Sequence, residues 1–269
     1  MVFLNSKSVP MARPFSLKIY LFIVILVSWP FQIAYIFLGD DYRPILLVSM
    51  TMVAVGTYIC GKYVFKDGFK DAGWSFGQAR HYFYVLLFAL FLWLFPSLVE
   101  QYTGGYSPII DVSYGDLIST FLLSALITII PAFGEEFGWR GYLLPRLLGQ
   151  YPERRALLIH GLVTWIWHLP FVVVMGFKAG GNPLLSVPMV LLVSFIPTIL
   201  HAVVFAFIWS STASLAVSVF YHVCFDEVRD TLRDSIGLGV LGENWQMFVL
   251  SVVGIWLLWK GTWKFHDRR

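Results

Sequence analysis

The sequence predicts an all-α polytopic membrane protein: one integral-membrane domain over residues 1–269, folded as a bundle of about eight transmembrane helices. Of the 269 residues, 58% are hydrophobic and only 13% are charged. That is about half the charged share of a typical soluble domain, and a soluble fold of this length needs more polar surface to cover its core. The composition therefore excludes a disordered chain, a coiled coil and an ordinary cytosolic enzyme.

The apolar runs define the predicted spans. A spanning helix needs about 20 mostly apolar residues, and two shorter runs are counted because a helix enclosed by protein rather than lipid can be short. The predicted spans are residues 19–38, 44–65, 81–99, 117–133, 156–177, 184–209, 212–225 and 246–259. The sequence contains no internal repeat and no linker long enough to separate two domains.

The distribution of positive charge predicts the orientation in the membrane. With the N-terminus inside, 15 of the 19 Lys and Arg residues fall in inner segments and 4 in outer segments. Cytoplasmic segments carry an excess of Lys and Arg, so we expect a plasma-membrane protein with both termini cytoplasmic. The bases are spread too thinly for a nucleic-acid surface, so the lipid bilayer is an expected partner and nucleic acid is not.

Charged residues within a predicted span are the first candidates for function, because a charge in the bilayer is costly. The fourth span closes with PAFGEEFGWRGYLLPRL. Glu136 and Arg140 share a helical face and can pair. Glu135 points about 100° away, so it does not take part in this pair and is a candidate for a separate role. These residues could instead mark the membrane edge. The apolar continuation GYLLPRLL argues against that alternative, because it indicates that the helix runs on.

Histidines in the fifth and sixth spans are weaker candidates. The fifth span contains His160 near its start and His168 near its middle, within TWIWHLPF. Pro170 follows His168 and would free a backbone carbonyl nearby. A lone histidine in a membrane helix is often a satisfied interior residue, and that alternative stays open. For His201, in the sixth span, a hydrogen bond inside the bundle is the favoured interpretation.

The seventh span contains His222 and Asp226, which lie four residues apart and hence on one helical face. The pair could coordinate a metal, bind a water or satisfy each other. At about 1.5 Å per residue, His168 lies about 18 Å and His222 about 15 Å from the inner ends of their spans. Glu135 matches this depth if its helix continues to about Arg146. We therefore expect one polar site that opens towards the cytoplasmic side.

A glutamate beside two histidines can activate water: the carboxylate takes the proton, while the imidazoles hold the water, a metal or the oxyanion. Zinc would accept His168, His222 and one carboxylate, from Glu135 or Asp226, and keep a position open for water. The same side chains can position water without a metal, and both possibilities stay open. The chain lacks the HExxH, GxSG and GxGD sequences typical of zincin-type, serine-type and aspartyl-type proteases.

Three ordered motifs resemble the CPBP family of intramembrane proteases, which includes the CAAX prenyl endopeptidases and the bacterial Abi-type proteins. The motifs are EExxxR at Glu135, Glu136 and Arg140, WHLP around His168, and HxxxD from His222 to Asp226. The resemblance covers about residues 117–226, the predicted catalytic core. Thr164 stands where the family often has Phe, and Asp226 where it commonly has Asn. The acidic residue favours a metal.

The resemblance implies an eight-helix bundle with a cavity open to the cytoplasm. It also implies an intramembrane metalloendopeptidase activity, in which a glutamate-activated water hydrolyses a peptide bond. Carried over by motif, Glu135 is the general base, while Glu136 and Arg140 orient it and brace the helix.

The remaining motif residues and the substrate follow from the same resemblance. His168 and His222 would hold the water or metal and the oxyanion, with Asp226 as their support. The implied substrate is a membrane-associated peptide or protein, either prenylated or a peptide precursor.

Two other functions remain. One is a non-catalytic, bacteriocin-immunity-type member of the same fold. The other is a proton-coupled transporter, because buried Glu, Arg and His also build relays.

Overall fold

The computed structural model describes residues 14–39, 42, 44–104, 113–235 and 237–261. In this part of the chain the regular structure is helical throughout, without a strand. The α-helices are α1 (Leu17–Leu38), α2 (Pro44–Ile59), α3 (Ala79–Tyr102), α4 (Tyr114–Glu136), α5 (Leu144–Gln150), α6 (Glu153–Trp167), α7 (Leu169–Lys178), α8 (Pro183–Thr212), α9 (Leu215–Ser235) and α10 (Val240–Lys260). Two π-helical segments, Cys60–Val64 and Phe137–Leu143, extend α2 and join α4 to α5.

The prediction of an all-α polytopic membrane protein is confirmed. Among the described residues, 6 helices are long and apolar enough to cross a membrane, and the bent pair α6–α7 makes up to 7. The remaining segment is α9, which extends to Ser235 rather than ending at the predicted residue 225. Its second half is rich in charge, so it does not qualify as a span by composition. The terminal segments that carry part of the predicted cytoplasmic charge lie outside the described residues.

Apolar side chains on the outer surface of α4 suit a lipid environment. Leu123, Leu126 and Ile130 are exposed although they lie in the middle of a long helix. An exposed apolar helix face such as this one would be unfavourable in water. In a bilayer they contact acyl chains, so this surface agrees with a spanning helix.

The fourth predicted span continues beyond its apolar run, as the expected depth of Glu135 requires. From Tyr114 to Gln150 the chain is one continuous helix of 37 residues that includes the π-helical segment. Gly134 lets it approach α2 closely, since a Cβ at this position would lie 2.7 Å from the Met50 carbonyl oxygen. A close approach of two backbones in a membrane protein depends on such small residues. The contact with α2 holds the glutamates that follow in the interior of the bundle.

His168 lies near the middle of the fifth span, as predicted, but this span is broken at His168 into two helices. α6 ends at Trp167, α7 begins after His168, and the two helices are bent by 56°. Pro170 lies in the first turn of α7, where its missing N–H and its ring prevent α6 from continuing. The Trp167 carbonyl freed at the break accepts hydrogen bonds from Trp29 Nε1 at 3.0 Å and Gln32 Nε2 at 3.2 Å, both on α1.

The two described chain ends lie at one end of the bundle. Gln150 donates a hydrogen bond to the Phe15 carbonyl at 2.9 Å, and Arg154 donates to the Trp259 carbonyl at 3.2 Å. α9 starts at this end, because the Leu215 amide donates to the carbonyl of Gly73 in the α2–α3 loop at 2.8 Å. The charged second half of α9 therefore lies towards the opposite end.

Candidate active site

The buried pair Glu136–Arg140 forms the centre of the polar cluster. Arg140 Nη1 donates to Glu136 Oε1 at 2.8 Å, and both side chains are almost completely buried. The four-residue spacing on a helix had predicted this pair, and the structure contains it. The Arg140 guanidinium also lies over the Phe205 ring of α8, 3.9 Å from its centroid, so packing and charge together fix its position.

His222, on α9, contacts a carboxylate with each of its ring nitrogens, and one of these contacts connects α9 to the Glu136–Arg140 pair. Its Nδ1 lies 2.8 Å from Glu136 Oε1, and its Nε2 lies 3.3 Å from Asp226 Oδ2. The predicted pairing of His222 and Asp226 on one face is thus present, with a second carboxylate on the other side of the ring. One imidazole therefore links two helices and is held between two carboxylates.

Glu135 is held by an aromatic neighbour. Trp139 donates from Nε1 to Glu135 Oε2 at 3.3 Å, and the glutamate is buried. Trp139 packs edge-on against Trp167, with ring centroids 5.8 Å apart, and Trp167 packs against His168 at 4.7 Å. Glu135 also lies close enough to His168 and His222 to interact with them electrostatically. The carboxylate on α4 and the imidazole at the α6–α7 break thus belong to one cluster.

The break between α6 and α7 determines which ring nitrogen His168 offers. Its Nδ1 lies 2.8 Å from the Thr164 carbonyl oxygen, and a carbonyl can only accept, so Nδ1 carries the proton. In the neutral ring Nε2 is then the acceptor, with its lone pair available for a water or a metal. Thr164, where the family often has Phe, contributes its backbone carbonyl here, so its side chain does not decide this contact.

The structure also places residues that the sequence motifs did not select. His201 Nε2 and the Tyr221 hydroxyl are hydrogen-bonded at 3.0 Å. This contact confirms the interpretation that His201 is satisfied inside the bundle. Arg229 donates to Asp226 at 2.9 Å. Trp139 and Arg229 follow Glu135 and Asp226 by four and three residues, so helical spacing alone could have indicated both.

Glu136 and Arg140 were expected to orient Glu135, but their observed contacts are with other groups. Glu136 contacts both Arg140 and His222, whereas the described hydrogen bond to Glu135 comes from Trp139. Because Glu135 and Glu136 point in different directions on α4, they have different partners. Glu136 and Arg140 therefore act on Glu135 through their charges and through the helix that carries all three, rather than through a described hydrogen bond.

The positions of these side chains do not fit the predicted zinc site. Within the described part of the chain, no group of three or more His, Cys, Asp or Glu side chains is arranged to hold a metal ion. Both ring nitrogens of His222 already face carboxylates, so it could bind a metal only by giving up the contact with Glu136 or Asp226. His168 Nε2 is the imidazole nitrogen that could accept a metal without such a change. We therefore derive no step of the reaction through a metal.

Exposure increases along the polar side chains from the centre of the cluster towards the end of α9. The exposed side-chain fractions are 0% for Glu136, 11% for His222, 20% for Asp226, 24% for Arg229 and 40% for Arg233. The opening of the site towards the cytoplasmic side stays a prediction.

The fold and the site together define an intramembrane protein with a buried cluster of polar side chains at its centre. Comparison with known families gives a match for the part of the chain that contains this cluster. Residues 117–228 match the model of the family described as type II CAAX prenyl endopeptidase, Rce1-like. The six residues predicted from the motifs all fall within this range. The resemblance to the CPBP family that the motifs indicated is confirmed.

The chain is also similar to one curated protein, the CAAX prenyl protease 2 of Methanococcus maripaludis. The two are 30% identical over 74 residues, which is 28% of this chain and 24% of the relative. The alignment thus spans about a quarter of the length of this relative.

Proposed function

We propose that this protein is an intramembrane endopeptidase in which Glu135 activates a water molecule for attack on a peptide bond. The observation that carries the proposal is the buried Glu135 carboxylate, which Trp139 holds within electrostatic range of His168, whose Nδ1 is bonded to the Thr164 carbonyl. The family match over residues 117–228 supports peptide hydrolysis as the reaction.

The carboxylate of Glu135 is the group that exchanges the proton. It takes a proton from water as the water oxygen bonds to the scissile carbonyl carbon. The tetrahedral intermediate then breaks its C–N bond, and Glu135 returns the proton to the leaving amine. Trp139 holds the carboxylate in place, and His168 Nε2 accepts a hydrogen bond from the attacking water.

The proposal places the developing oxyanion on the side of Arg140 and His222, the cationic and hydrogen-bond-donor groups of the cluster around Glu136. Arg140 is held against Glu136, and His222 lies between Glu136 and Asp226. Fixed charges in a water-poor site stabilise a transition state more strongly than the same charges in water. In this proposal Glu136 and Asp226 fix His222, and Arg140 keeps the total charge of the cluster from becoming strongly negative.

The proposed substrate is a membrane-associated peptide or protein, and a prenylated CAAX-type peptide is the first to test. The family description and the name of the archaeal relative support this choice. A prenyl chain would anchor the peptide in the bilayer, where the scissile bond can reach a site enclosed by helices. The proposal places the protein in the plasma membrane.

The proposal predicts that Glu135→Gln abolishes cleavage without unfolding the protein. Loss of a general base typically costs about 10²–10⁴-fold in rate, and Gln keeps the shape and the acceptor oxygen for Trp139. The assay is cleavage of a farnesylated CAAX peptide by the purified protein in liposomes, with an unprenylated peptide alongside.

Glu153→Gln, at the start of α6, is the matched control and should cleave at the wild-type rate. Near-normal cleavage by Glu135→Gln would show that Glu135 is not the base. No cleavage of any membrane peptide by the wild-type protein, under conditions where it is folded, would contradict the peptidase.

A further inference from the structure

The carboxylate of Asp226 has a different partner on each oxygen. Oδ2 lies 3.3 Å from His222 Nε2, whereas Oδ1 accepts a hydrogen bond from Arg229 Nη1 at 2.9 Å. Arg229 continues to Asp230, whose Oδ1 lies 2.6 Å from its Nε. Asp226 therefore faces the active site with one oxygen and a cation with the other.

The local charge explains why a cation is needed here. Three carboxylates surround one imidazole: Glu136 and Asp226 contact His222, and Glu135 lies within electrostatic range. Arg140 compensates Glu136 on the α4 side. A carboxylate removed from bulk water needs a compensating charge, and on the α9 side Arg229 provides it.

The negative charge of Asp226 distinguishes it from an amide side chain of the same shape. Arg229, which offsets that charge, lies one residue beyond the end of the family match at residue 228. An Asn at this position could hold His222 through its amide oxygen without a net charge. An Asp can do so only if its second oxygen is fixed and its charge is balanced.

We infer that Arg229 is a positioning residue of the active site, and that it is required because residue 226 is an aspartate. It holds the Asp226 carboxylate so that Oδ2 stays on His222 Nε2. Since it does not touch the proposed reacting atoms, it acts only through Asp226. This inference rests on the proposed peptidase function.

The next arginine on α9 provides a matched control. Arg233 pairs with Glu243 of α10 at 2.7 Å, and with Asp230 at 3.8 Å, where both Arg233 and Glu243 are well exposed. It has the same charge, lies one turn further along and does not contact Asp226. Any general effect of removing positive charge from α9 should therefore appear in Arg233→Gln as well.

The test is a double-mutant cycle of cleavage with the variants Arg229→Gln, Asp226→Asn and the combination of the two. Displacing a group that orients the site can cost up to about a hundredfold, so we expect Arg229→Gln to lower kcat by about tenfold or more with KM nearly unchanged. In the Asp226→Asn background, the Arg229→Gln change should have little further effect. Arg233→Gln should cleave like the wild type.

Two results would overturn the inference while leaving the peptidase intact. One is wild-type kcat in Arg229→Gln. The other is an equal loss in the wild-type and Asp226→Asn backgrounds, which would show that Arg229 merely stabilises α9. A failed peptidase gives a different pattern, in which Glu135→Gln has no effect or the wild-type protein does not cleave.

If the protein does not cleave the peptide, a measurement without substrate still tests the inference. In protein labelled with ¹⁵N-histidine, the ring nitrogens of His222 can be assigned by their loss in His222→Gln. Arg229→Gln should shift the Nε2 resonance of His222, because Asp226 is displaced, and Arg233→Gln should leave it unchanged. An unshifted resonance in Arg229→Gln would show that Arg229 does not position Asp226.

Discussion

Two arginines on the same continuous helix, Arg140 and Arg146, have very different surroundings. Arg146 lies at the end of the bundle and makes a nearly complete set of contacts. It donates to Asp67 at 3.0 Å, to Asp71 at 2.9 Å and to the Gly68 carbonyl at 2.7 Å, and its guanidinium lies 3.6 Å from the centroid of the Tyr142 ring. These contacts fasten the α2–α3 loop to α5.

Arg140 lies deeper and is less completely bonded. Its Nη1 donates to Glu136, but its Nε and the second oxygen of Glu136 have no hydrogen-bond partner among the described residues, although both atoms are buried. Native proteins rarely leave such groups unsatisfied, and the exceptions concentrate at functional sites. Arg146 thus uses its donors to fasten a loop, whereas Arg140 keeps an unpaired donor beside the glutamates of the site.

The largest expected effect of breaking either cluster is at Arg140. Arg140→Ala leaves Glu136 and its neighbours as uncompensated buried charge, and breaking a buried pair costs about 3–5 kcal/mol. We therefore expect a clear loss of thermal stability in detergent together with loss of cleavage. Unchanged stability would show that the pair is well solvated, in contrast to its burial here.

Arg146→Gln should have a smaller effect, confined to stability. Arg146 itself is only 8% exposed, but its partners Asp67 and Asp71 are 26% and 47% exposed, and each ion pair with such a partner contributes about 1 kcal/mol or less. Cleavage of the prenylated peptide should stay at the wild-type rate in the folded fraction. A tenfold loss of kcat in a fully folded variant would place the loop contacts within the active site and remove the contrast between the two arginines.

The smallest expected effect is that of a strong chelator. Both ring nitrogens of His222 face carboxylates, so the residues do not form a two-imidazole metal site as they stand. We expect cleavage to persist in the chelator, with well under one metal ion per chain by elemental analysis. Loss of activity that zinc restores, together with lower bound metal in His168→Ala, would establish the metal site predicted from the sequence.

The local pairs of the site could be predicted from the sequence because they lie within one helix. Glu136–Arg140 and His222–Asp226 each have four-residue spacing, which puts both side chains on one face whatever the rest of the fold does. The break in the helix at His168 was harder to predict from the sequence. The effect of Pro170 depends on α1, whose Trp29 and Gln32 satisfy the carbonyl that the bend frees.

Contacts between helices explain the remaining differences. The approach of α4 to α2 at Gly134 and the link from Glu136 to His222 join residues far apart in the chain, so no local spacing reveals them. The length of α9 was underestimated because its charged half is stabilised by protein partners. Thr128 of α4, for example, bonds to the buried Glu227. The length of an apolar run in the sequence identifies only helices that face lipid.

Water labelled with ¹⁸O tests most directly whether Glu135 activates water or attacks the substrate itself. The purified protein would cleave a prenylated peptide over many turnovers in this water, and mass spectrometry would then measure the product and the peptide that contains Glu135. If water attacks directly, ¹⁸O enters the new carboxyl group of the product and the Glu135 carboxylate keeps its normal mass. Label in Glu135 would show that this residue forms a covalent intermediate, and would contradict its role as the base.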